Sequence, residues 1–304
     1  MKRRETGKKI MALVLTVAMT LSLLPMTGLE SSAKTDLLMD DFDEIISTYN
    51  IDPSIPSYKE YMEEYGSQAR PADVVEIPAA DYVRYEDSDM AAVPEVYTDY
   101  EGMAGGCVLT SEDSLIEFEV EVKTSGLYNL SVVYYPVAGK NSDIQRSVFV
   151  DGELPFAEMS LLTFPRVWTN YVENTVVNAD GVTVKNWEKD NQGNDVKPKT
   201  MEVPEWQSRY LYDSNGYITE ALSIYLEAGT HTISMISLKE PMLINRLVLS
   251  NEGEVKSYAE IKAAWDANGA KDASGSQIVL EGEYASKTSS QMLYPQQDQS
   301  SPSV

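Results

Sequence analysis

The chain of 304 residues contains one Cys, one His, five Phe and only 24 Lys+Arg against 48 Asp+Glu. Each scarcity removes a class of chemistry. A single Cys forms no intrachain disulfide and no thiolate zinc cluster, and a single His excludes the multi-histidine sites of most hydrolytic metalloenzymes. With acids twice as numerous as bases and no basic stretch beyond the first ten residues, the chain cannot neutralise a run of phosphates. Nucleic acid is excluded as a partner. No Gly-x-Ser-x-Gly elbow, phosphate loop, Gly-x-Gly-x-x-Gly or Cys-x-x-Cys occurs, and the sequence reads as non-catalytic. Cys107 has neither a second thiol nor a His nearby and reads as a buried free thiol. His231, beside Gly229 at a strand start, reads as a structural turn residue rather than a general base.

Long apolar runs are equally scarce. The one present, Ile10 to Leu24, follows Lys2, Arg3, Arg4, Lys8 and Lys9, is broken by Pro25 and leads to Ser31-Ser32-Ala33. This three-part pattern predicts a secretory signal peptide over residues 1–33. The run is shorter than the roughly 20 residues that a membrane span needs, and no Cys follows it to carry lipid. The expectation is a secreted or extracellular, cell-surface associated protein with no membrane anchor in this chain. Removal of the leader takes away five bases and two acids, moving the net charge from −24 to −27. Such a charge favours solubility.

Periodicity then divides the rest. Residues 34–73 read as a helical N-terminal segment, with Leu37, Leu38, Phe42, Ile45 and Ile46 at helical spacing and a second short helix carrying Tyr58, Tyr61, Met62 and Tyr65. Ser57 and Glu60 stand at capping-box spacing. Beyond Pro71 the period falls to two: Ile116, Phe118, Val120 and Val122 alternate with Glu117, Glu119 and Glu121. The alternating glutamates read as a solvated strand face rather than as a catalytic carboxylate pair. Further strands are expected over Leu127–Tyr135, Ser147–Val150, Ala221–Leu226, His231–Ile236 and Met242–Leu249, with Asp151-Gly152 as a hairpin turn. Short strands without intervening helices predict a mainly β chain, an antiparallel β-sandwich over 74–250. Asn178 to Asp213, polar and carrying Trp187 and Trp206, reads as an insertion that forms a lid or a binding surface.

Ser57-Tyr58-Lys59-Glu60-Tyr61 recurs as Ser257-Tyr258-Ala259-Glu260-Ile261, each followed by a helix pattern, a polar break and a strand start. This predicts a tandem module, with 251–276 as a helical linker and 277–304 as the start of a truncated second copy whose last residues lack a folding partner. Chemistry is sparse. Nineteen tyrosines and four tryptophans favour rings with a polar handle, suited to stacking on sugars at wet surfaces. Trp168 fits a core or a cleft equally well, and Trp206, with Tyr210 and Tyr212 near it in sequence, reads as exposed. Glu86, Asp87 and Asp89 read as an acidic loop that could offer oxygen ligands to calcium.

The order Pro78-Ala79-Ala80-Asp81-Tyr82, Ser125-Gly126-Leu127-Tyr128, Val148-Phe149-Val150-Asp151-Gly152, Leu226-Glu227-Ala228-Gly229-Thr230-His231 and Leu243-Ile244-Asn245-Arg246-Leu247 resembles galactose-binding-like jelly-roll carbohydrate-binding modules of families 6 and 35. The resemblance covers about residues 74–250. It implies a non-catalytic jelly roll whose partner is a polysaccharide or oligosaccharide, bound by aromatic stacking and loop hydrogen bonds. Trp168, Trp206, Tyr212 and Asp213, each near the insertion that could cover one end of the sandwich, are the expected binding residues. In that family a Glu-x-Glu pair and an Asp hold a structural calcium, which would fall here on Asp81 and Asn245, a weakened set; Glu281-Gly282-Glu283 in the second copy is closer to the pattern. The long insertion also resembles the N-terminal extensions of extracellular solute-binding proteins of carbohydrate ABC transporters, which implies a downstream solute-binding domain. A structural or adhesion sandwich is the other alternative.

Overall fold

The computed structural model describes residues 54–88, 93–171, 174–177, 179, 181, 183–194, 196–253, 256–271, 274–275, 277 and 285–292. The leader, the helical pattern at 34–52, Asp89 and the strand expected at 278–284 lie outside the described residues. The chain divides into units Met1–Thr35 and Asp36–Val304, and everything below concerns the second.

Helix α1 (Tyr58–Tyr65) opens the described chain. The Ser57 hydroxyl accepts from the Glu60 amide while the Glu60 carboxylate accepts from the Ser57 amide, so two donors left unpaired by helix geometry are satisfied reciprocally. Sixteen strands follow. They are β1 (Val75–Pro78), β2 (Arg84–Asp87), β3 (Val96–Tyr100), β4 (Met103–Thr110), β5 (Ser114–Val122), β6 (Gly126–Pro136), β7 (Ile144–Val150) and β8 (Leu162–Phe164). Next come β9 (Trp168–Tyr171), β10 (Asn174–Val177), β11 (Thr183–Asn186), β12 (Lys199–Glu202), β13 (Gln207–Tyr210), β14 (Ser223–Leu226), β15 (Gly229–Lys239) and β16 (Met242–Ser250). Helix α2 (Tyr258–Ala267) comes last.

The strands form an antiparallel β-sandwich. The larger sheet runs β13-β6-β16-β4-β3, with β14 sharing the flank of β6 and β1 sharing the flank of β16; the smaller runs β2-β5-β15-β7-β8. The period-two pattern of β5 sends Ile116, Phe118, Val120 and Val122 into the common core, where they meet Leu130, Val132, Tyr134, Ile244 and Leu247 of the larger sheet. Complete burial of each such side chain contributes roughly 1.5–3 kcal/mol. Every residue of β6 is buried, because the sheet face turned away from the core is covered as well. That second cover is where the candidate site lies.

The segment read as an insertion is only partly one. β10 and β11 form a ribbon of their own, and β12 pairs with β9, but β13 is hydrogen-bonded into the larger sheet with Gln207 opposite Tyr134 and Tyr210 opposite Ser131. Its polar residues hid this because an edge strand needs little apolar surface. The far end of the chain also departs from expectation: Thr288 forms a β-bridge with Trp168, giving both amides a carbonyl, so part of 277–304 does find a partner. His231 sits at the start of β15 with Nδ1 2.6 Å from Asp151 and Nε2 2.8 Å from the Glu227 carbonyl, a turn brace as its sequence position implied.

Beside the larger sheet, one end of the sandwich is held by buried charge. Glu240 at the β15–β16 turn and Arg166 are both fully buried and meet at 2.9 Å, and Arg166 also reaches Glu202 at 2.6 Å. The Glu240 carboxylate accepts from the Lys140 and Ser142 amides and from the Ser142 hydroxyl, drawing the 137–142 loop over itself. Burial opposes its charge, but the Ser142 and Lys140 hydrogen bonds and Arg166 outweigh burial and hold the carboxyl below the usual range. Gly139 passes directly over it: a Cβ there would stand 2.0 Å from Glu240 Oε2.

Candidate functional site: an aromatic patch on the larger sheet

Alternation along a strand means that residues flanking a core residue point to the opposite face. Val108 and Tyr134 enter the core, so Cys107 and Tyr135 lie on the outer face, joined there by Leu243, which pairs with Tyr135 and Leu109. On the neighbouring β3, Tyr97 pairs with Cys107 and Tyr100 with Met103. Trp206 completes the group as the chain turns into β13.

Four rings run across this face edge to face or tilted. Tyr97 to Tyr100 is 5.2 Å, Tyr100 to Tyr135 is 5.2 Å and Tyr135 to Trp206 is 5.4 Å between centroids. Such offset geometry suits the ring quadrupole and contributes about 0.5–1.5 kcal/mol per pair beyond burial. Trp206 Nε1 donates to the Tyr100 carbonyl at 2.9 Å, which fixes the indole plane. Tyr97, Tyr100 and Trp206 keep part of their surface in water, whereas Cys107 beneath them is fully buried and burial pushes its thiol up.

Carboxylates surround the patch. The Tyr97 hydroxyl is held by Glu95, which pushes its pKa up, and the Tyr135 hydroxyl is pushed up by burial and then by Glu101, with Tyr100 and Glu202 adding to it. Asp99 lies near enough to act on the Cys107 thiol. Rings flanked by acceptors can stack on the C–H face of a polyol and accept its hydroxyls. An anion would meet repulsion here.

The residues expected from sequence are not gathered in one place. Trp206 is at the patch, just before β13 and partly buried, packed against the outer-face cluster of Cys107, Tyr135 and Leu243. Trp168 is 6% exposed, held in β9 between β12 and Thr288, so its ring is not available for stacking. Tyr212 lies beyond the other end of β13, with Arg209 4.9 Å above its ring and its hydroxyl donating to Glu252. Asp213 is a turn former: its carboxylate accepts from the amides of Asn215, Tyr217 and Ile218, which occupies the oxygens that a ligand would need. Tyr97, Tyr100 and Tyr135 were missed. A Tyr-x-x-Tyr spacing on a five-residue strand was the available signal, but nothing local says that β3 sits beside β4 on the outer face.

The calcium candidates do not fit a cation. Asn245 is buried, its amide nitrogen donates to the Ala104 carbonyl at 3.0 Å, and its oxygen accepts from the Arg246 guanidinium at 2.8 Å. Asp81 is exposed in the turn Ala79–Asp81. Among the described residues no group of three His, Cys, Asp or Glu is placed to hold a metal. In the acidic loop, Glu86 is paired with Arg84 at 2.8 Å and Asp87 accepts from Tyr85.

No protein-family model and no curated protein matches the chain. Solved structures are similar to about three fifths of it. The GH26-CBM35 β-(1,4)-mannanase of Podospora anserina is 16% identical with a TM-score of 0.34, over 61% of this chain and 29% of that one. A family 35 carbohydrate-binding module from Clostridium thermocellum is 13% identical with a TM-score of 0.34, over 60% of this chain and 100% of that one. The C-terminal CBM6 of LamC, a marine laminarinase from Zobellia galactanivorans, is 14% identical with a TM-score of 0.32, over 59% of this chain and 100% of that one. The chain therefore spans less than a third of the mannanase and the whole of the two modules.

Proposed function

We propose that the chain is a secreted, non-catalytic carbohydrate-binding protein that holds a neutral glycan on the outer face of its larger sheet. The observation that carries this reading is the row Tyr97–Tyr100–Tyr135–Trp206, a partly wet aromatic surface rimmed by Glu95, Asp99 and Glu101. Stacking of sugar C–H groups on the rings would supply most of the affinity, and carboxylates accepting hydroxyls would supply orientation. No reaction is assigned: the chain's one His is committed to a turn, and the buried acid Glu240 is consumed by hydrogen bonds. No helix among the described residues is long and apolar enough to cross a membrane.

A second reading draws on one contact. Trp206 spends its only donor on the Tyr100 carbonyl, as a residue of a purely structural or adhesive sheet would. The two readings part in one experiment: tryptophan fluorescence and calorimetric titration of the chain with neutral and uronate-containing polysaccharides, alongside Tyr100→Ala and Trp206→Ala. Glycan binding predicts saturable heat with neutral polysaccharides that is lost at least about tenfold in both variants, corresponding to about 1.4 kcal/mol or more. Silence of the folded wild-type chain across the panel overturns it in favour of the structural reading.

A further inference from the structure

We infer that α2 is a docking helix for the edge of a second β-sandwich of the same build as the one described here, which it would grip as α1 grips its own. The two helices are alike in what starts them. Ser257 and Glu260 form the same reciprocal capping box as Ser57 and Glu60, with Ser257 N to Glu260 Oε2 at 2.7 Å. They are alike also in the residues at the first, fourth and eighth helical positions: Tyr58, Tyr61 and Tyr65 in α1, Tyr258, Ile261 and Trp265 in α2. Positions three and four apart share one helix face, so α1 presents a stripe of three rings and α2 a stripe of two rings with Ile261 between them.

Their surroundings differ completely. Tyr58 and Tyr61 are each 8% exposed, resting against Phe156 at 4.8 and 5.0 Å, and Tyr65 stacks on Tyr225 at 4.9 Å. The Tyr58 hydroxyl accepts from the Ser223 amide and the Tyr61 hydroxyl from the Tyr225 amide on the edge strand β14, and Glu158 accepts from the Tyr58 amide at the helix start. This seat therefore offers strand amides, an aromatic floor and a carboxylate at the positive end of the helix. In α2 no described residue is buried, and Tyr258 and Trp265 are 71% and 53% exposed, meeting edge to face at 6.5 Å. A stripe of large apolar residues repeated at the same three positions, with both of its rings left in water, is a contact surface lacking its counterpart. The counterpart is specified by α1: a strand edge with one amide for the Tyr258 hydroxyl and an apolar place for Ile261, a Phe156-like ring and a carboxylate at the Glu158 position. The chain's own seat is filled by α1, so the occupant is a separate sandwich.

The test grafts α2 into the known seat. In the full chain, the exchanges Lys59→Ala, Tyr61→Ile, Met62→Lys, Glu63→Ala, Glu64→Ala and Tyr65→Trp write the α2 sequence over α1. If α2 has the matching face, this chimera unfolds in one transition within about 4 °C of the parent, while Tyr58→Ala/Tyr65→Ala falls by about 10 °C or more. A chimera that falls as far as the double alanine variant overturns the inference, and so does a chimera that fails to fold. A second arm needs no graft. The double alanine variant, its seat vacated, is mixed with wild-type chain at up to about 100 µM, and sedimentation reads heterodimer formation. Association that Trp265→Ala in the wild-type chain abolishes supports the inference. Absence of association with a folded variant, or association indifferent to Trp265→Ala, overturns it.

Discussion

The two sheets share one core and differ on the faces turned away from it. Along β5 the smaller sheet shows water Glu119 and Glu121, in alternation with core residues, while elsewhere on the same outer face Leu115, Phe149 and Ile236 form a small buried cluster with Leu154 and Leu238. The larger sheet shows water a row of tyrosines and a tryptophan over a buried Cys107. Both faces obey the same two-residue period, so the period alone does not distinguish a solvated face from a binding face. The difference is one of chemistry: carboxylates on the first face cost nothing to hydrate, whereas rings on the second lose contact with water only when something flat and partly apolar covers them. The comparison teaches that a binding face on a sandwich is to be sought where outward-facing rings stay partly in water, as Tyr97, Tyr100 and Trp206 do, and not merely where outward-facing residues are apolar, as with the covered Leu115, Phe149 and Ile236.

The expected outcomes that break or sharpen this contrast run from the largest effect to the smallest. The largest lies in the part both sheets share. Phe118 is completely buried between them, and Phe118→Ala is expected to cost about 3–5 kcal/mol in chemical denaturation, with both sheets lost in one transition. Two separate transitions would show that the sheets do not share a core. Next is the charged brace beside the larger sheet. Glu240→Ala leaves Arg166 buried without that partner and is expected to cost about 3–5 kcal/mol.

The same brace should be visible in pH. The folded Glu240 carboxyl is held below its unfolded value, so its contribution is complete above the unfolded pKa of about 4.3 and is lost as pH falls through the folded one. Wild-type stability is then expected to drop more steeply below about pH 4 than that of Glu240→Gln, measured by urea midpoint against pH; parallel curves would remove the carboxylate from the brace. Gly139→Ala should act through the same loop, since its methyl would collide with the carboxylate, and rescue by Glu240→Ala in the double variant would confirm the collision as the cause.

The smallest effect belongs to the solvated face. Glu121, exposed on β5, should change stability by less than about 0.5 kcal/mol when replaced by Gln, and leave glycan titration unchanged. Tyr100→Ala on the opposite outer face should remove binding at a stability cost well below that of Phe118→Ala. If Glu121→Gln weakened binding as much as Tyr100→Ala, the site would be on the wrong sheet.

Legibility followed the range over which each feature is set. The strand from Ser114 to Val122, the Asp151-Gly152 turn and the capping box of Ser57 were all readable, because each is decided within about ten residues of chain. Even the repeat at Ser257 was readable, and α2 forms there with the same cap. The site was not. Sequence left Trp168 open between core and cleft and read Trp206 as exposed; the first is walled in by β12 and Thr288 and the second lies, partly buried, at the rim of the aromatic row. Asp213 offered a ligand-like carboxylate until the turn that follows it took both oxygens.

By itself, then, the sequence determined the mainly β character, the alternation that gives each sheet a core face, the excess of acid and the caps of both helices. These follow from local periodicity, composition and short-range hydrogen bonds. Tertiary structure alone decided that Tyr97, Tyr100, Tyr135 and Trp206 meet on one surface, that Glu240 closes the 137–142 loop, and that α1 is covered while α2 is bare. The physical reason is that strand neighbours are chosen by pairing across long stretches of chain, as with Tyr135 and Leu243 or Ser131 and Tyr210, and the exposure of a ring depends on which distant strand comes to lie beside it.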